Sequence, residues 1–238
     1  MPLKVLIIIP CYNEQESLPL LLVELEKLGS DEQYRIDLCV VNDCSKDQTE
    51  KIAAQHPNVI LLDLPINLGI GGAVQCGLKY AKSNNYNLAV QMDGDGQHPP
   101  GELHKLFTCL QSTGADVVIG SRFLEKAGFQ SSFTRRLGIA YFHWLNRLFT
   151  RKSIYDSTSG FRLFSKKAIE LTALHYPDDY PEPESLVMFA RVGLSIMEAP
   201  VLMQSRSGGQ SSIRNFTSLY YCIKVTIAMI FSAIRKIK

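Results

Sequence analysis

Short runs of β-branched and aliphatic residues alternate with amphipathic stretches over the first 120 residues of this 238-residue chain. Such alternation specifies a parallel sheet whose strands are joined by crossover helices. The pattern predicts strands at residues 4–9, 36–41, 59–62, 88–92 and 116–119, with helices at 14–28, 48–55, 71–83 and 100–111 between them. The first helix is predicted to begin after Asn13, a good N-cap. We therefore predict an α/β fold with a Rossmann-like, mostly parallel central sheet flanked by helices.

The second half of the chain is less regular, with a predicted helix at 136–150, a turn at 157–160 and a helix around 183–192. Hydrophobic residues make up 46% of the chain and charged residues 20%, which excludes a disordered or fibrous protein. The cysteines are scattered without a CxxC pair, and the N-terminal apolar run is too short for a signal peptide. We expect reduced thiols, a body that stays in the cytoplasm, and one domain over residues 1–214.

Two carboxylates, Asp93 and Asp95, follow the predicted strand at 88–92. Ligands of open parallel sheets bind at the carboxyl ends of the strands. Two carboxylates on one turn can hold a hard divalent cation while a diphosphate fills its remaining coordination positions. The alternative is a glycine-rich surface turn in which aspartate is a local cap. A calcium-binding loop is disfavoured because its sixth and twelfth positions would be His98 and His104. The position at a strand end favours a cation site.

Asp43 closes the second predicted strand. A carboxylate at such a strand end can bond a nucleotide base or ribose. Asp43 can also be the N-cap of the helix predicted at 48–55, and taken alone this is the better interpretation. Its assignment therefore depends on the surrounding pattern.

Several short segments occur in the order and spacing of a known family. They are residues 9–14 (IPCYNE), 41–45 (VNDCS), 67–69 (NLG), 91–95 (QMDGD), 120–123 (GSRF), 156–162 (DSTSGFR), 181–184 (PEPE) and 206–212 (RSGGQSS). On these segments the chain resembles family 2 glycosyltransferases of the GT-A fold over residues 4 to 214. It looks most like the branch that glycosylates polyprenyl phosphates, similar to dolichol-phosphate mannose synthase.

The resemblance implies a set of donor and metal residues. In that branch the metal motif reads Asp-x-Asp-x-Gln, which Asp93, Asp95 and Gln97 match, with Mg²⁺ or Mn²⁺ as the expected cofactor. The residues expected to bind the nucleotide sugar are Pro10, Tyr12, Asn13, Glu14, Asp43, Gly69, Asp93, Gly94 and Asp95. His98 is a further candidate for a substrate contact.

Arginines are expected on the acceptor side, because a guanidinium binds phosphate oxygens through a bidentate fork. The candidates are Arg122, Arg135, Arg136, Arg162 and Arg206. The resemblance favours Arg122 and Arg206 as catalytic arginines, whereas Arg135 and Arg136 can equally mark an exposed helix start. Glu182 and Glu184 occupy the stretch where many relatives carry a catalytic base. A phosphate acceptor is already ionised and needs no base, so Glu184 is expected to orient groups in the site.

The C-terminal segment, residues 215–238, is predicted to be an amphipathic helix. Six basic and no acidic residues follow Glu198, and isoleucines recur at helical spacing, Ile223, Ile227, Ile230 and Ile234 among them. This pattern is typical of a helix lying in the membrane interface, and the apolar run after Lys224 is too short to span a bilayer. The alternative is a helix packed on the body or on a partner. A small membrane protein and a second copy of the chain are further candidate partners. No nucleic-acid partner is expected, because the body is mildly acidic and no basic patch is interleaved with aromatic residues.

The sequence therefore predicts a peripheral enzyme at the cytoplasmic face of the membrane that transfers a sugar, with inversion, from a nucleotide sugar to polyprenyl phosphate. A UDP-sugar is the favoured donor and undecaprenyl phosphate the favoured acceptor. One alternative is transfer to a hydroxyl of a lipid-linked glycan, with Glu184 as a true base. The other is a non-catalytic module that binds nucleotide sugars at the membrane.

Overall fold

The structure is a computed structural model that describes residues 1–124, 133–178, 181–204 and 217–235. Within residues 133–140 and 217–221 it describes the backbone only. The boundary predicted at residue 214 between the body and the C-terminal helix lies outside the described residues.

Seven strands form one sheet in the order β3-β2-β1-β4-β6-β5-β7. All neighbouring strands pair in parallel except β6, which is antiparallel to both β4 and β5. The predicted α/β fold with a mostly parallel sheet is confirmed. The strands are β1 (Leu3–Cys11), β2 (Tyr34–Asn42), β3 (Val59–Asp63), β4 (Leu88–Gln91), β5 (Val117–Ser121), β6 (Arg162–Ser165) and β7 (Ile196–Pro200).

Helices cover both faces of this sheet. Val5, Ile7 and Ile9 of β1 point into one core cluster and Leu6 and Ile8 into another, as alternation along a doubly covered strand requires. The helices are α1 (Leu18–Leu28), α2 (Thr49–Ala54), α3 (Gly69–Ser83), α4 (Leu103–Thr113) after a 3₁₀ turn (Pro100–Glu102), α5 (Phe133–Thr150), α6 (Lys166–His175), α7 (Pro181–Arg191) and α8 (Thr217–Ile234).

The start of the first helix differs from the prediction. Helix α1 begins at Leu18 with Ser17 at its N-cap position, not after Asn13. Asn13 adopts a left-handed conformation with φ 58°, and its side-chain oxygen accepts a hydrogen bond from the Lys46 amide. The Asn13 side chain therefore binds the loop after β2 and does not cap α1.

The sequence pattern also failed to predict β6, α6 and β7. Strand β6 is only four residues long and begins with a fully buried arginine, Arg162, which interrupts the apolar pattern.

Within the parts of the chain that the structure describes, no helix has the length and apolarity needed to cross a bilayer.

Candidate active site

Asp43, Asp93 and Asp95 lie at one edge of the sheet, where β2 and β4 end on either side of β1. Cys11 pairs with Asn42 at the ends of β1 and β2, and the Asp43 amide then donates to the Cys11 carbonyl at 2.8 Å. Asp93 and Asp95 follow β4, the strand on the other side of β1. Because parallel strands end at the same edge, chemistry from distant parts of the sequence meets there.

Two loops at this edge are tied together by hydrogen bonds. The Asn13 amide donates to the Ser45 hydroxyl at 3.0 Å, and the Glu14 amide donates to the Thr49 hydroxyl at 2.9 Å. Tyr12 lies at the start of this paired segment with 45% of its surface exposed. The loops form a fixed wall beside the strand ends, from which an aromatic ring projects.

Asp43 binds the beginning of α3. Its two carboxylate oxygens accept the backbone amides of Leu68 at 2.6 Å and Gly69 at 2.9 Å, and the side chain is buried. The N-cap interpretation is wrong for α2, whose N-cap residue is Gln48 and whose Thr49 amide donates to Asp47; the amides that Asp43 accepts belong to the beginning of α3. Asp43 fixes Gly69 beside the site, and its direct contact with a nucleoside stays a prediction.

Asp93 and Asp95 form a crowded carboxylate pair. Burial raises the pKa of Asp93 to about 7, with further contributions from the charges of Asp95 and Glu182, while Arg122 acts in the opposite direction. Asp95 is buried and accepts the Gln97 amide at 3.0 Å. A Cβ added at Gly160 would lie 2.6 and 2.7 Å from the two Asp93 carboxylate oxygens. The turn at Gly160 thus packs directly on Asp93 and leaves the carboxylate little freedom.

This arrangement fits a divalent cation with oxygen ligands. A cation would relieve the repulsion between the two carboxylates, and the amide oxygen of Gln97 is a suitable hard ligand. Among the described residues, no group of three or more His, Cys, Asp or Glu side chains is placed to enclose a metal. If Asp93, Asp95 and Gln97 held a cation, its remaining coordination positions could be filled by a diphosphate.

Arg122 is held in one orientation by Asp156. Its Nε and Nη2 atoms each lie 2.6 Å from an Asp156 carboxylate oxygen, and Asp156 is fully buried. Nη2 also donates to the Thr158 hydroxyl at 2.9 Å, whereas Nη1 lies 3.6 Å from the Met203 thioether, a weak acceptor. Nη1 is therefore the arm that an anion can engage. Sequence analysis missed Asp156, although it begins one of the quoted segments.

Arg162 is not available to an acceptor phosphate, and this corrects the sequence prediction. The side chain is completely buried. Its guanidinium donates to the carbonyls of Ser157, Ser159 and Glu182 and to the Ser185 hydroxyl, at 2.8–3.0 Å. Arg162 thus joins the turn that packs on Asp93 to the beginning of α7, and its role is to position both.

Of the two predicted α7 acids, Glu182 is the one whose charge acts on Asp93. It is partly buried, and burial raises its pKa. Glu184 is also partly buried in the first turn of α7. His98 is buried against Phe161, with ring centroids 4.9 Å apart, and burial lowers its pKa to about 4. His98 is therefore neutral near pH 7 and packed within the protein, and its contact with substrate stays a prediction.

The remaining arginine candidates are not placed by the structure. Arg206 and the side chains of Arg135 and Arg136 lie outside the described residues. Their predicted contacts with the acceptor phosphate stay predictions.

The chain was compared with protein families and with known proteins, and both comparisons give matches over most of its length. The family model for Glycosyl transferase family 2 matches residues 6–172. The chain is 33% identical over 222 residues to the undecaprenyl-phosphate mannosyltransferase of Micrococcus luteus, covering 89% of this chain and 88% of that protein. It is 29% identical over 222 residues to a dolichyl-phosphate beta-glucosyltransferase of Trichomonas vaginalis, covering 87% of this chain and 68% of that protein.

A solved structure shares the fold. Glucosyl-3-phosphoglycerate synthase from Mycobacterium tuberculosis, crystallised with Mn²⁺, UDP-glucose and phosphoglyceric acid, superimposes with a TM-score of 0.71 at 18% identity. The match covers 97% of this chain and 79% of that one.

Replacement of Arg162 by methionine tests its positioning role. Arg162→Met leaves buried carbonyls of the turn and of α7 without donors, so we expect a loss of roughly 3 kcal/mol or more in the free energy of unfolding. The control is Arg35→Met, which removes an exposed arginine 3.9 Å from Asp37 and should cost less than about 1 kcal/mol. Urea unfolding measures both, and equal losses would contradict the assignment.

The raised pKa of Asp93 predicts a pH-dependent stability. The folded chain holds a proton on Asp93 between about pH 4 and 7, whereas the unfolded chain, with a pKa of 3.8, does not. The unfolding free energy therefore falls as pH rises through this window. Asp93→Asn removes the effect and should be more stable than the unsubstituted chain by about 2 kcal/mol above pH 7 in EDTA.

Thermal unfolding between pH 4 and 8 measures this difference, with Asp178→Asn as an exposed aspartate control. Added Mn²⁺ should raise the melting temperature of the unsubstituted chain and of the control at pH 7.5 but not that of Asp93→Asn. Parallel curves for all three proteins would contradict the electrostatic account.

Proposed function

The chain belongs to glycosyl transferase family 2, and we propose that it transfers a sugar, with inversion, from a nucleotide sugar to a polyprenyl phosphate. Undecaprenyl phosphate is the proposed acceptor and a UDP-sugar the proposed donor. The reaction would take place at the cytoplasmic face of the membrane. Both relatives described above carry polyprenyl-phosphate acceptors in their names, which supports this class of acceptor.

The observation that carries the proposal is the opposition of Asp93 and Asp95 to Arg122 at one sheet edge. Arg122 lies close enough to Asp93 for each charge to act on the other's pKa. The carboxylates of Asp93 and Asp95 suit a cation that also binds the donor diphosphate, and the guanidinium of Arg122 suits an anion. A reaction between a nucleoside diphosphate sugar and a phosphate acceptor needs both within one site.

The proposed mechanism requires positioning and charge stabilisation more than proton transfer. Asp93, Asp95 and Gln97 would hold Mg²⁺ or Mn²⁺, which supplies positive charge to the leaving nucleoside diphosphate. Nη1 of Arg122, fixed through Asp156, would bind the acceptor phosphate with Arg206, Arg135 and Arg136 as further candidates. The acceptor oxygen is already ionised near neutral pH and attacks the anomeric carbon without a base.

The donor would lie against the wall built from the loops after β1 and β2. Tyr12, Asn13 and Glu14 would line its first part, with Pro10 buried in β1 just before them, while Asp43 and Gly69 stand at the beginning of α3. The exposed Tyr12 ring is suited to stacking on a nucleobase. Mannose and glucose both occur in the relatives' names, so similarity does not select the sugar.

Transfer to a hydroxyl of a lipid-linked glycan is the second candidate. It is favoured by the two acids at the beginning of α7, because a sugar hydroxyl needs a base. Glu184 or the neighbouring Glu182 would then abstract the hydroxyl proton. In the mechanism with a polyprenyl phosphate acceptor, Glu184 would only orient other groups of the site and would carry no proton.

The test is transfer of label from radiolabelled UDP- and GDP-sugars to undecaprenyl phosphate, with Mn²⁺ or with EDTA, scored as organic-extractable counts. We expect counts from one donor that depend on the metal. Asp95→Asn should reduce the rate at least about 100-fold, while Asp178→Asn should not change it. No transfer from any donor, with nucleotide-sugar binding intact, would contradict the phosphate acceptor.

The Glu184→Gln and Glu182→Gln variants separate the two mechanisms. With a phosphate acceptor, Glu184→Gln should lose less than about tenfold in kcat, since no proton is transferred. Glu182→Gln should retain turnover as well. Because the charge of Glu182 acts on Asp93, we expect this variant to change the dependence of the rate on metal concentration. A collapse of more than about 100-fold for either variant with normal metal binding would favour a hydroxyl acceptor.

A further inference from the structure

A glutamine, Gln91, is completely buried next to the carboxylates of the site. It is the last residue of β4 and stands two residues before Asp93. The Met92 amide donates to the Ile8 carbonyl at 3.0 Å, so the extended chain continues past β4, and Met92 points into the core cluster on the opposite face of the sheet. Because side chains alternate along an extended chain, Gln91 and Asp93 lie on the same face.

Tyr176, which directly follows α6, sets the orientation of the Gln91 amide. Its hydroxyl donates to Oε1 of Gln91 at 3.0 Å, and both side chains are buried. Burial raises the pKa of Tyr176 above its ordinary value, so the hydroxyl keeps its proton and acts as the donor. The ring packs edge-on against Phe164 of β6. With Oε1 bound by Tyr176, the Nε2 atom of Gln91 is directed away from the tyrosine.

The Nε2 atom of Gln91 is a buried donor that meets no acceptor at full hydrogen-bond geometry among the described residues. It faces the carboxylates of Asp93 and Glu182. Burial raises the pKa of each acid, and the hydrogen-bonding influence of the Gln91 amide opposes that rise in both. Ionised carboxylates only accept hydrogen bonds, so the amide can face them only through Nε2. A buried donor left this way is unfavourable by itself and indicates a role beside the two acids.

An amide suits this position better than a charged donor. Gln91 lies opposite Arg162 where β4 pairs with β6, and the Arg162 guanidinium donates to the backbone carbonyl of Glu182. A second guanidinium on the carboxylates would neutralise the charge that a cation needs. The amide of Gln91 orients a carboxylate and leaves its negative charge in place.

We propose that Gln91 is a positioning residue: its amide, oriented by Tyr176, holds the Asp93 carboxylate ready for a divalent cation. Glu182 shares the same donor, which links the beginning of α7 to the cation site. The inference rests on the proposed function, because it takes Asp93 as a metal ligand. Hydrogen-bond partners behind a ligating carboxylate orient it, and their removal typically costs about 10- to 100-fold in metal affinity or activity.

Gln91→Met tests the proposal, because methionine resembles glutamine in length but has no N–H donor. Mn²⁺ binding to the full-length protein is measured by electron paramagnetic resonance in the presence of UDP. We expect the dissociation constant of Mn²⁺ to rise by about tenfold or more. Tyr176→Phe releases the amide to rotate and should raise this constant about threefold. It also keeps the test valid if Gln91→Met does not fold.

Tyr34→Phe is the matched control. The Tyr34 hydroxyl is also bonded to a glutamine, since Nε2 of Gln111 donates to it at 2.7 Å, and Tyr34 is about as buried as Tyr176. Tyr34 begins β2 and so lies at the end of that strand remote from the site. The Mn²⁺ dissociation constant of this variant should equal that of the unsubstituted chain.

A double-mutant cycle tests the contact without metal or nucleotide. Gln91→Met and Asp93→Asn are compared singly and together by thermal unfolding in EDTA at pH 8. The effects of independent residues add, whereas those of residues in contact do not. Gln91→Met should lower the melting temperature more in the unsubstituted chain than in Asp93→Asn, because a carboxylate is the stronger acceptor. Tyr34→Phe should lower it equally in both.

Three outcomes would overturn the proposal. Additive effects of Gln91→Met and Asp93→Asn on the melting temperature would show that the amide does not act on this carboxylate. Unchanged Mn²⁺ affinity in Gln91→Met would leave the glutamine a structural role alone. Absence of Mn²⁺ binding in the unsubstituted chain would remove the cation site itself. Neither measurement uses a sugar or an acceptor, so failure of sugar transfer and failure of this proposal are observed separately.

Discussion

The carboxylates after β4, of which Asp95 is buried and Asp93 partly buried, are the constraint around which the site is arranged. Asp93 and Asp95 stand close together with Glu182 nearby, and burial and mutual repulsion raise the pKa of Asp93 to about 7. Such a cluster is unfavourable in the chain alone. It persists because Gly160 packs on the Asp93 carboxylate and because Arg162 fixes that turn to α7. The same repulsion makes the site receptive to a cation.

Two arginines near these carboxylates illustrate how partners decide the role of a side chain. The Arg162 guanidinium donates hydrogen bonds to three carbonyls and a hydroxyl, and the side chain is completely buried. Arg122 is paired with a single buried acid, which leaves one arm against a weak sulfur acceptor. The first is part of the scaffold, and the second can still bind an anion. The sequence offers both as acceptor-phosphate candidates, and it is the family resemblance that favours Arg122.

The sequence was most informative where local pattern and function coincide. The strands before β6 and the helices between them follow from the alternation of apolar runs with amphipathic stretches, and Asp43, Asp93 and Asp95 were singled out by their places at strand ends. Asp43 shows the limit, since its carboxylate caps a helix that begins 26 residues later. The roles of Asp156 and Arg162 depend on pairings across the sheet edge, and no local periodicity encodes them. Strand β6 escaped prediction because a buried arginine occupies its first position.

The C-terminal helix combines two interpretations that the sequence had set against each other. Periodicity identified the isoleucine face, but the smaller Val225 and Met229 stripe is the one that packs on α5 and α7. The helix therefore binds the body and still presents apolar residues outward. Because α7 has Val187 under this surface and Glu182 at the site, one rigid helix separates the exposed apolar residues from the carboxylates.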